Sequence, residues 1–396
     1  MPPISFVPQT DSHGDHGLEV WSASTPSAEV RLLATGIVGI DTLAAIEARI
    51  AEFAPDVVIV DYDEKRWRWL ADPEFREKVD LVEIIKRGEL GTLNARLAQG
   101  VLRKLMSPLS ADVREDDDVR AAVGAAQAAG CALEFGHRDV EIEGLRAWRR
   151  STVRGRVRIA LTLTVRSLRS SRVAHAELSS LRSTFDPASV RQQTRQRLPS
   201  PAAQTWLDES ERWLAARVLA HEGRVVVVTR AAHRAGLERG FEDAASVDAL
   251  LEVPQKSLFA RVLPWAFSAA IVSAFVLGFA FGDFERMTSA LAAWFGANMT
   301  LAALGAAAAG GHPWTIAATS VSAPFVSLNP AVGAGMVGAL VQAYVKPPTI
   351  RDIDRVGDDI AHWRGWWRNR LARILLVFVF ANVASTIGSF VALALF

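Results

Sequence analysis

The stretch LFARVLPWAFSAAIVSAFVLGFAF, from Leu258 to Phe281, decides the architecture of this chain, because it carries a single charge, Arg261, near its start. A bilayer core about 30 Å thick takes about 20 apolar residues at 1.5 Å rise each, and this run meets that length. Working outward, a second apolar run covers Met287 to Gly310, a third Pro313 to Val345 and a fourth Leu371 to Phe396. Soluble core helices rarely reach such lengths. The reading is a multi-pass integral membrane protein in which a large polar domain precedes a helical transmembrane domain of four or so hydrophobic segments.

The 396 residues divide by character: the first 255 or so are rich in Arg, Asp and Glu with short β-branched runs between, and the remainder is rich in Ala, Gly, Val and Leu. The net charge of +1 hides that split and gives no basis for a nucleic-acid partner. The single cysteine, Cys131, excludes an internal disulfide and a cysteine framework for zinc, and it reads as a small core residue. Residues 1–30 lack a basic start followed by an apolar core, so no secretory signal is expected and the polar domain stays on the side where it is made. The expected organisation is a flexible arm over 1–29, an α/β domain over 30–255 and the helical transmembrane domain over 256–396.

Within the polar part, VRLLATGIV (30–38) is a continuous apolar run, and Asp41 opens a helical pattern that lasts to Phe53. Pro55-Asp56 breaks it, and VVIVDYD (57–63) reads as a strand ending in acid. Apolar runs without alternation suit parallel strands covered on both faces, and strand, helix, strand within about 35 residues is a βαβ unit. Helical patterns over Leu81–Met106 and Val113–Ala129 follow, then a strand in CALEFGHRDVEI (131–142), an Arg-rich helical region over roughly 142–220 and a last strand in RVVVVTRAAH (224–233). The class is α/β with a mainly parallel sheet.

Ligands of open parallel sheets bind beyond the carboxyl ends of the strands. Here those ends carry Thr35, Gly36 and Ile37; Asp61 and Asp63; His137, Arg138 and Asp139; and Thr229, Arg230 and His233. Four separate strand ends with polar or glycine clusters point to one cleft assembled from distant parts of the chain.

The stretch from Val30 to Leu70 resembles the opening of the TraB/PrgY pheromone-shutdown family, and the tail from Ser327 to Phe390 resembles that family's C-terminal part more closely. Asn329-Pro330, Lys346-Pro347-Pro348-Thr349, the Asp-Ile pairs at 352–353 and 359–360, and Trp367-Arg368-Asn369-Arg370 fall in the expected order. With the Arg138 and His233 segments, the likeness covers nearly the whole chain after residue 29. The wider superfamily, which includes Tiki-like and erythromycin-esterase-like proteins, implies a metal-dependent hydrolase built on two Gly-x-x-His elements, a glutamate after the second strand and an arginine.

Carried over residue by residue, that pattern is mixed. The first histidine is replaced by Ile37, the glutamate position holds Asp61, the arginine a turn later is Arg66, an Asp-Arg pair reads His137-Arg138, and the second element keeps His233 but has Arg230 in place of glycine. A catalytic metal needs about three protein ligands and an open position for water. Asp61, His137 and His233 could still supply a rearranged set for a divalent transition metal, but Ile37 removes a ligand and Arg230 adds positive charge beside the remaining histidine.

Other motifs have plain readings beside the sharp ones. His13-Gly14-Asp15-His16 has chelating spacing but lies in the expected arm. Arg66-Trp67-Arg68-Trp69 cannot all face one side of a helix, so some are exposed or meet a partner. Gly333-x-Gly335-x-x-Gly338 fits the dinucleotide pattern, yet it sits in an apolar run, where small residues let membrane helices pack and permit homo-oligomers. The acidic run Glu115–Asp118 after Ser110 reads as a solvated helix start. Arg154, Arg156, Arg158, Arg166, Arg169 and Arg172 read as a wet helix face or a contact for anionic lipid heads.

In the membrane part, Gly282–Arg286 allows only a tight hairpin, and Pro324, Asn329 and Pro330 interrupt the third run midway, which reads as a re-entrant pair of half-helices or two short spans. Lys256, Lys346, Arg351, Arg355, Arg364, Arg368 and Arg370 make both flanks of the membrane region basic, so the positive-inside rule puts the polar domain in the cytoplasm. Trp363, Trp366 and Trp367 suit the headgroup level.

Three functions compete. The first is a membrane protein that binds a peptide or small ligand without hydrolysing it, with Asp61, Arg66, Arg138 and His233 lining the cleft together with Thr35, Gly36, Asp63, His137 and Arg230. In the second, a membrane-tethered metal-dependent peptidase or hydrolase, Asp61 and His233 would be ligands or general base and Arg138 would stabilise an oxyanion. The third is a small-solute transporter built around Asn329-Pro330, which ranks last because the apolar runs 313–345 and 374–396 hold no Asp, Glu, Lys or Arg.

Overall fold

Short β-branched runs build the centre of the N-terminal part. The computed structural model describes residues 4–9, 17–72, 116–159, 186–243, 247–255, 258–326, 333–360 and 363–393, and the chain separates after Pro254 into two units. The first unit contains β1 (Val7–Pro8), β2 (Leu18–Ser24), β3 (Ala28–Thr35), α1 (Ile40–Phe53), β4 (Val57–Val60) and α2 (Glu64–Ala71). It continues with α3 (Asp117–Ala129), β5 (Ala132–Phe135), α4 (Val140–Arg150), α5 (Pro187–Arg197), α6 (Glu209–Leu219), β6 (Gly223–Arg230) and α7 (Arg234–Glu242).

The strands form one sheet in the order β1-β2-β3-β6-β4-β5. Pairing is parallel across β3, β6, β4 and β5 and antiparallel at β1–β2–β3, so the sheet is mixed. The antiparallel edge corrects the expected flexible arm over 1–29. Leu18 and Val20 point into the core from LEVWSAS, while Glu19 and Trp21 between them are half-buried. That period of two was masked in the sequence by the Pro/Ser/His-rich residues around it.

Successive side chains of the parallel strands serve opposite faces. Val30, Leu32, Ala34, Val57, Ile59, Val225 and Val227 pack with Leu214, Ala215 and Val218 of α6 and Leu237 and Phe241 of α7. Leu33, Val58, Val60, Val226 and Val228 pack with Ile46, Ile50 and Phe53 of α1 and with α3. Helices therefore cover both faces, which is why these strands read as unbroken apolar runs. The helix patterns over 81–106 and the arginines from 166 to 172 lie outside the described residues, as do His13, His16 and Asn329-Pro330.

The second unit contains α8 (Leu258–Phe281), α9 (Phe284–Ala308), α10 (Pro313–Val326), α11 (Ala334–Val345), α12 (Ile350–Asp359) and α13 (Arg370–Leu393). Among the described residues, two helices, Phe284–Ala308 and Arg370–Val391, are long and apolar enough to cross a membrane by length and composition, fewer than the four segments expected. Pro324 sits inside α10 without ending it. The tight hairpin holds: Asp283 caps α9 by accepting from the Glu285 amide at 3.0 Å.

Buried polar side chains tie these helices together. Asn298 on α9 is fully buried, and its Oδ1 accepts from Ser385 and Ser389 on α13, both at 3.2 Å. Gln342 on α11 accepts through Oε1 from the Thr315 hydroxyl of α10 at 2.8 Å and the His312 amide at 2.9 Å. Asn369 ties down the start of α13: its Oδ1 caps the helix at the Leu371 and Ala372 amides, while its Nδ2 donates to the Asp352 carbonyl and Asp359 carboxylate. The Gly335 amide donates to Asn382 Oδ1 at 3.0 Å, and a Cβ at Gly335 would run into the Phe378 carbonyl and the Asn382 amide. Gly335→Ala is therefore expected to cost about 1–3 kcal/mol by forcing α11 off α13. A thermal melt of the detergent-purified protein checks this; an unchanged midpoint would mean the two helices are not held this close.

Candidate functional site

Parallel pairing puts the carboxyl ends of β3, β6 and β4 on one side, with Thr35 opposite Arg230 and Val60 opposite Val228. The polar groups there form one continuous chain. The Thr35 hydroxyl donates to the Thr229 carbonyl at 3.2 Å, and the Thr229 hydroxyl donates to Asp61 Oδ2 at 2.6 Å. Asp61 Oδ1 lies 2.9 Å from His137 Nδ1, and His137 Nε2 lies 3.2 Å from Glu143 Oε2. His137 follows β5, whereas Glu143 stands in the first turn of α4, which Asp139 caps by accepting from the Glu141 amide.

Glu143 opens onto a second buried cluster. Its Oε1 accepts from Ser210 at 2.5 Å and from Arg138 at 3.4 Å, and Arg138 also donates to Glu209 at 3.1 Å. Glu209 further accepts from Arg146 and Arg150. A π-helical turn, Gln204–Asp208, precedes α6, and the Thr205 carbonyl within it accepts from Arg138. Such turns displace one carbonyl from the helix ladder and occur often at functional sites.

The electrostatics follow from this arrangement. Burial opposes a charge on His137, but the Glu143 charge and the hydrogen bonds to both carboxylates outweigh it and raise the imidazole to about 10. Burial likewise opposes ionisation of Asp61, yet the hydrogen bond and charge of His137, the charge of His233 and the Thr229 hydroxyl hold it well below the usual carboxylate range. The pair is an imidazolium–carboxylate pair at neutral pH.

A metal fits this donor set poorly. Both ring nitrogens of His137 are taken by carboxylates, so the imidazole has no lone pair left for a metal, and each Asp61 oxygen already accepts one hydrogen bond. His233 is turned to Glu211, with Nδ1 3.2 Å from Oε1, and Ile37 is a buried apolar side chain. Among the described residues no group of three or more His, Cys, Asp or Glu is arranged to hold a metal ion. The three-ligand set Asp61, His137 and His233 expected from sequence is thus not assembled.

The remaining expected site residues have local partners. Asp63 caps α2 by accepting from the Arg66 amide at 2.8 Å, and burial leads the effects that raise its pKa. Arg66 pairs with Asp116 at 3.3 Å and lies 5.2 Å from the Tyr62 ring, while Trp67 stacks on Phe135 at 6.0 Å. Arg230 pairs with Asp118 at 3.5 Å, and Asp118 Oδ2 lies 3.4 Å from Thr35 Oγ1. Asp118 is only 3% exposed, which corrects its reading as a solvated helix start. The Gly36 amide donates to the Gly17 carbonyl at 2.9 Å. Arg138 has a side chain with no exposure, so it cannot fork onto a ligand or stabilise an oxyanion. Sequence reading missed Glu143, Glu209 and Glu211; the available signal was Glu141-x-Glu143 one turn past His137-Arg138-Asp139, and Glu209-x-Glu211 ahead of the last strand.

An uncharacterized protein of Methanocaldococcus jannaschii is 24% identical over 383 residues, spanning 93% of this chain and 94% of its own length. Residues 259–396 match the TraB family protein C-terminal domain. The match places a TraB-type C-terminal domain in that part of the chain.

Proposed function

We propose that this protein is a membrane-anchored member of the TraB family whose α/β unit binds a peptide or small ligand at the strand ends without metal-dependent hydrolysis. The observation that carries this reading is the closed chain Thr229–Asp61–His137–Glu143, which occupies both ring nitrogens of His137 and so withholds the imidazole from a metal. Around it, Arg66, Arg230 and His233 keep 24%, 11% and 15% of their side chains exposed, and these groups form the rim a ligand meets. A ligand carboxylate suits that rim, since an arginine fork binds carboxylate with two parallel hydrogen bonds.

The membrane arrangement belongs to the same proposal. Helices α10 and α11 hold 14 and 12 residues. At 1.5 Å per residue these rise about 21 and 18 Å, short of a bilayer core of about 30 Å. They are read as a re-entrant pair between the spans α9 and α13, with α8 as a further span. Basic residues on both flanks support a cytoplasmic α/β unit.

Metal content by mass spectrometry on detergent-purified protein, wild type beside His137→Ala, tests the non-hydrolytic reading. No stoichiometric transition metal is expected in either. About one metal per chain in the wild type, lost in the variant, would sink the proposal and restore the hydrolase.

A further inference from the structure

The segment leading from the α/β unit towards α8 is held in an unusual way. Residues 247–254 contain one short 3-10 turn, Asp248–Leu250, and only Leu250 is buried among their apolar side chains. Their carbonyls are taken by arginine side chains. Arg138 donates to the Leu250 carbonyl at 2.7 Å, Arg146 to those of Ala249 at 3.0 Å and Glu252, and Arg149 to that of Pro254 at 3.0 Å. Four backbone acceptors of one segment therefore depend on three guanidinium groups.

Two of those guanidinium groups are fixed by the carboxylates that finish the strand-end chain. Arg138 is held by Glu143 and Glu209, and Arg146 by both oxygens of Glu209. Glu143 in turn is the partner of His137, whose other nitrogen faces Asp61. A continuous path of charged hydrogen bonds thus runs from Asp61 through His137, Glu143, Arg138 and Glu209 to Arg146 and the Leu250 and Glu252 carbonyls. Each charged group in the path serves at least two neighbours, so displacing one withdraws a counter-charge from the next, which re-seats on the partners that remain. Buried ionic networks of this kind have discrete arrangements rather than continuous ones, which is what transmission between two places requires.

We propose that residues 247–254 are a strap that couples the arrangement of the strand-end site to the chain entering the first helix of the C-terminal unit, α8. A ligand that draws His137 or Asp61 out of the chain releases Glu143, loosens Arg138 and Arg146, and frees the strap. This goes beyond ligand binding and does not depend on which ligand the site takes. The device is regulatory: occupancy of the α/β unit is written onto the segment before the membrane helices.

Hydrogen exchange on the full-length protein in lipid nanodiscs tests it without a ligand, by breaking the path at its far end. The reporters are the Leu250 and Leu251 amides, which donate within the turn at 2.8 and 3.0 Å. His137→Gln is expected to speed their exchange about tenfold, equivalent to about 1.4 kcal/mol of lost protection, while the β6 amides of 225–228 stay protected. Arg149→Ala, which acts on the strap directly through Pro254, is the positive control. Release of the strap by Arg149→Ala but not by His137→Gln overturns the coupling and leaves a merely glued segment. Should His137→Gln expose the β6 amides as well, Glu143→Gln, close in shape, takes its place with the same two outcomes. Metal content does not enter this readout, so its failure is distinct from failure of the non-hydrolytic reading.

Discussion

Arg138→Ala is expected to lower the stability of the α/β unit by about 3–5 kcal/mol, the cost of removing one partner from a buried ion pair. The side chain has no exposure and serves Glu143, Glu209 and two backbone carbonyls. Its loss takes one of the counter-charges from each of two buried carboxylates, leaving Glu143 with His137 and Glu209 with Arg146 and Arg150. A lysine cannot rescue it, because a single ammonium cannot reach acceptors spread over α4, α6 and the strap in the way a planar fork does. In a thermal melt, a change of this size in a unit of this length lowers the midpoint by about 10 °C. Arg68→Ala is the comparison, since the Arg68–Glu64 pair is more than half exposed on both sides and is worth about 0–1 kcal/mol. Equal midpoints for the two variants would show that the buried cluster does not hold the unit together.

The second large effect is on pH. Folding raises His137 from 6.5 to about 10, so its stabilisation is complete below about 6.5 and disappears as pH climbs towards 10. Folding lowers Asp61 from 3.8, so its stabilisation is complete above that value and is lost as pH falls below it. Both contributions act together between about pH 4 and 6.5, and the protein is expected to lose on the order of a few kcal/mol on going from pH 6 to pH 10. Thermal midpoints across that range, wild type beside His137→Gln, check the assignment. The wild-type curve should fall and the variant curve should be flatter. Parallel curves would place the titrating group elsewhere.

Much of the sheet was legible because its strands are buried on both faces. VVIV and RVVVV have no polar interruption, and each ends at a charged or polar residue that the parallel arrangement brings to one side. The β2 edge was not legible, since LEVWSAS alternates only weakly and sits among turn-forming residues. At the site, Asp61 and His137 were found from strand ends, but their pairing was not, because 76 positions separate them and only the sheet order closes the gap. Glu143, Glu209 and Glu211 look in the sequence like ordinary surface acids on helices. Their burial comes from Arg138, Arg146 and Arg191, and a charge paired across the fold leaves no local pattern. In the C-terminal unit the apolar runs were plain from hydropathy, and Pro324, Asn329 and Pro330 signalled the division of 313–345 into the two short helices α10 and α11.

The strand order has a consequence for how the protein is made. β6 lies between β3 and β4 but is the last strand to leave the ribosome, pairing Thr35 with Arg230 across most of the unit's length. Until it arrives, β3 and β4 each present an unfilled apolar edge, and non-local pairing of this kind is slow to form. Little chain separates the end of β6 at Arg230 from the start of α8 at Leu258. Closure of the sheet therefore coincides with emergence of the first long apolar helix. Synthesis presents the cell with two sticky surfaces at the same moment, one to be zipped shut and one to be handed on, and pausing between those positions should decide how much of the protein reaches its mature state.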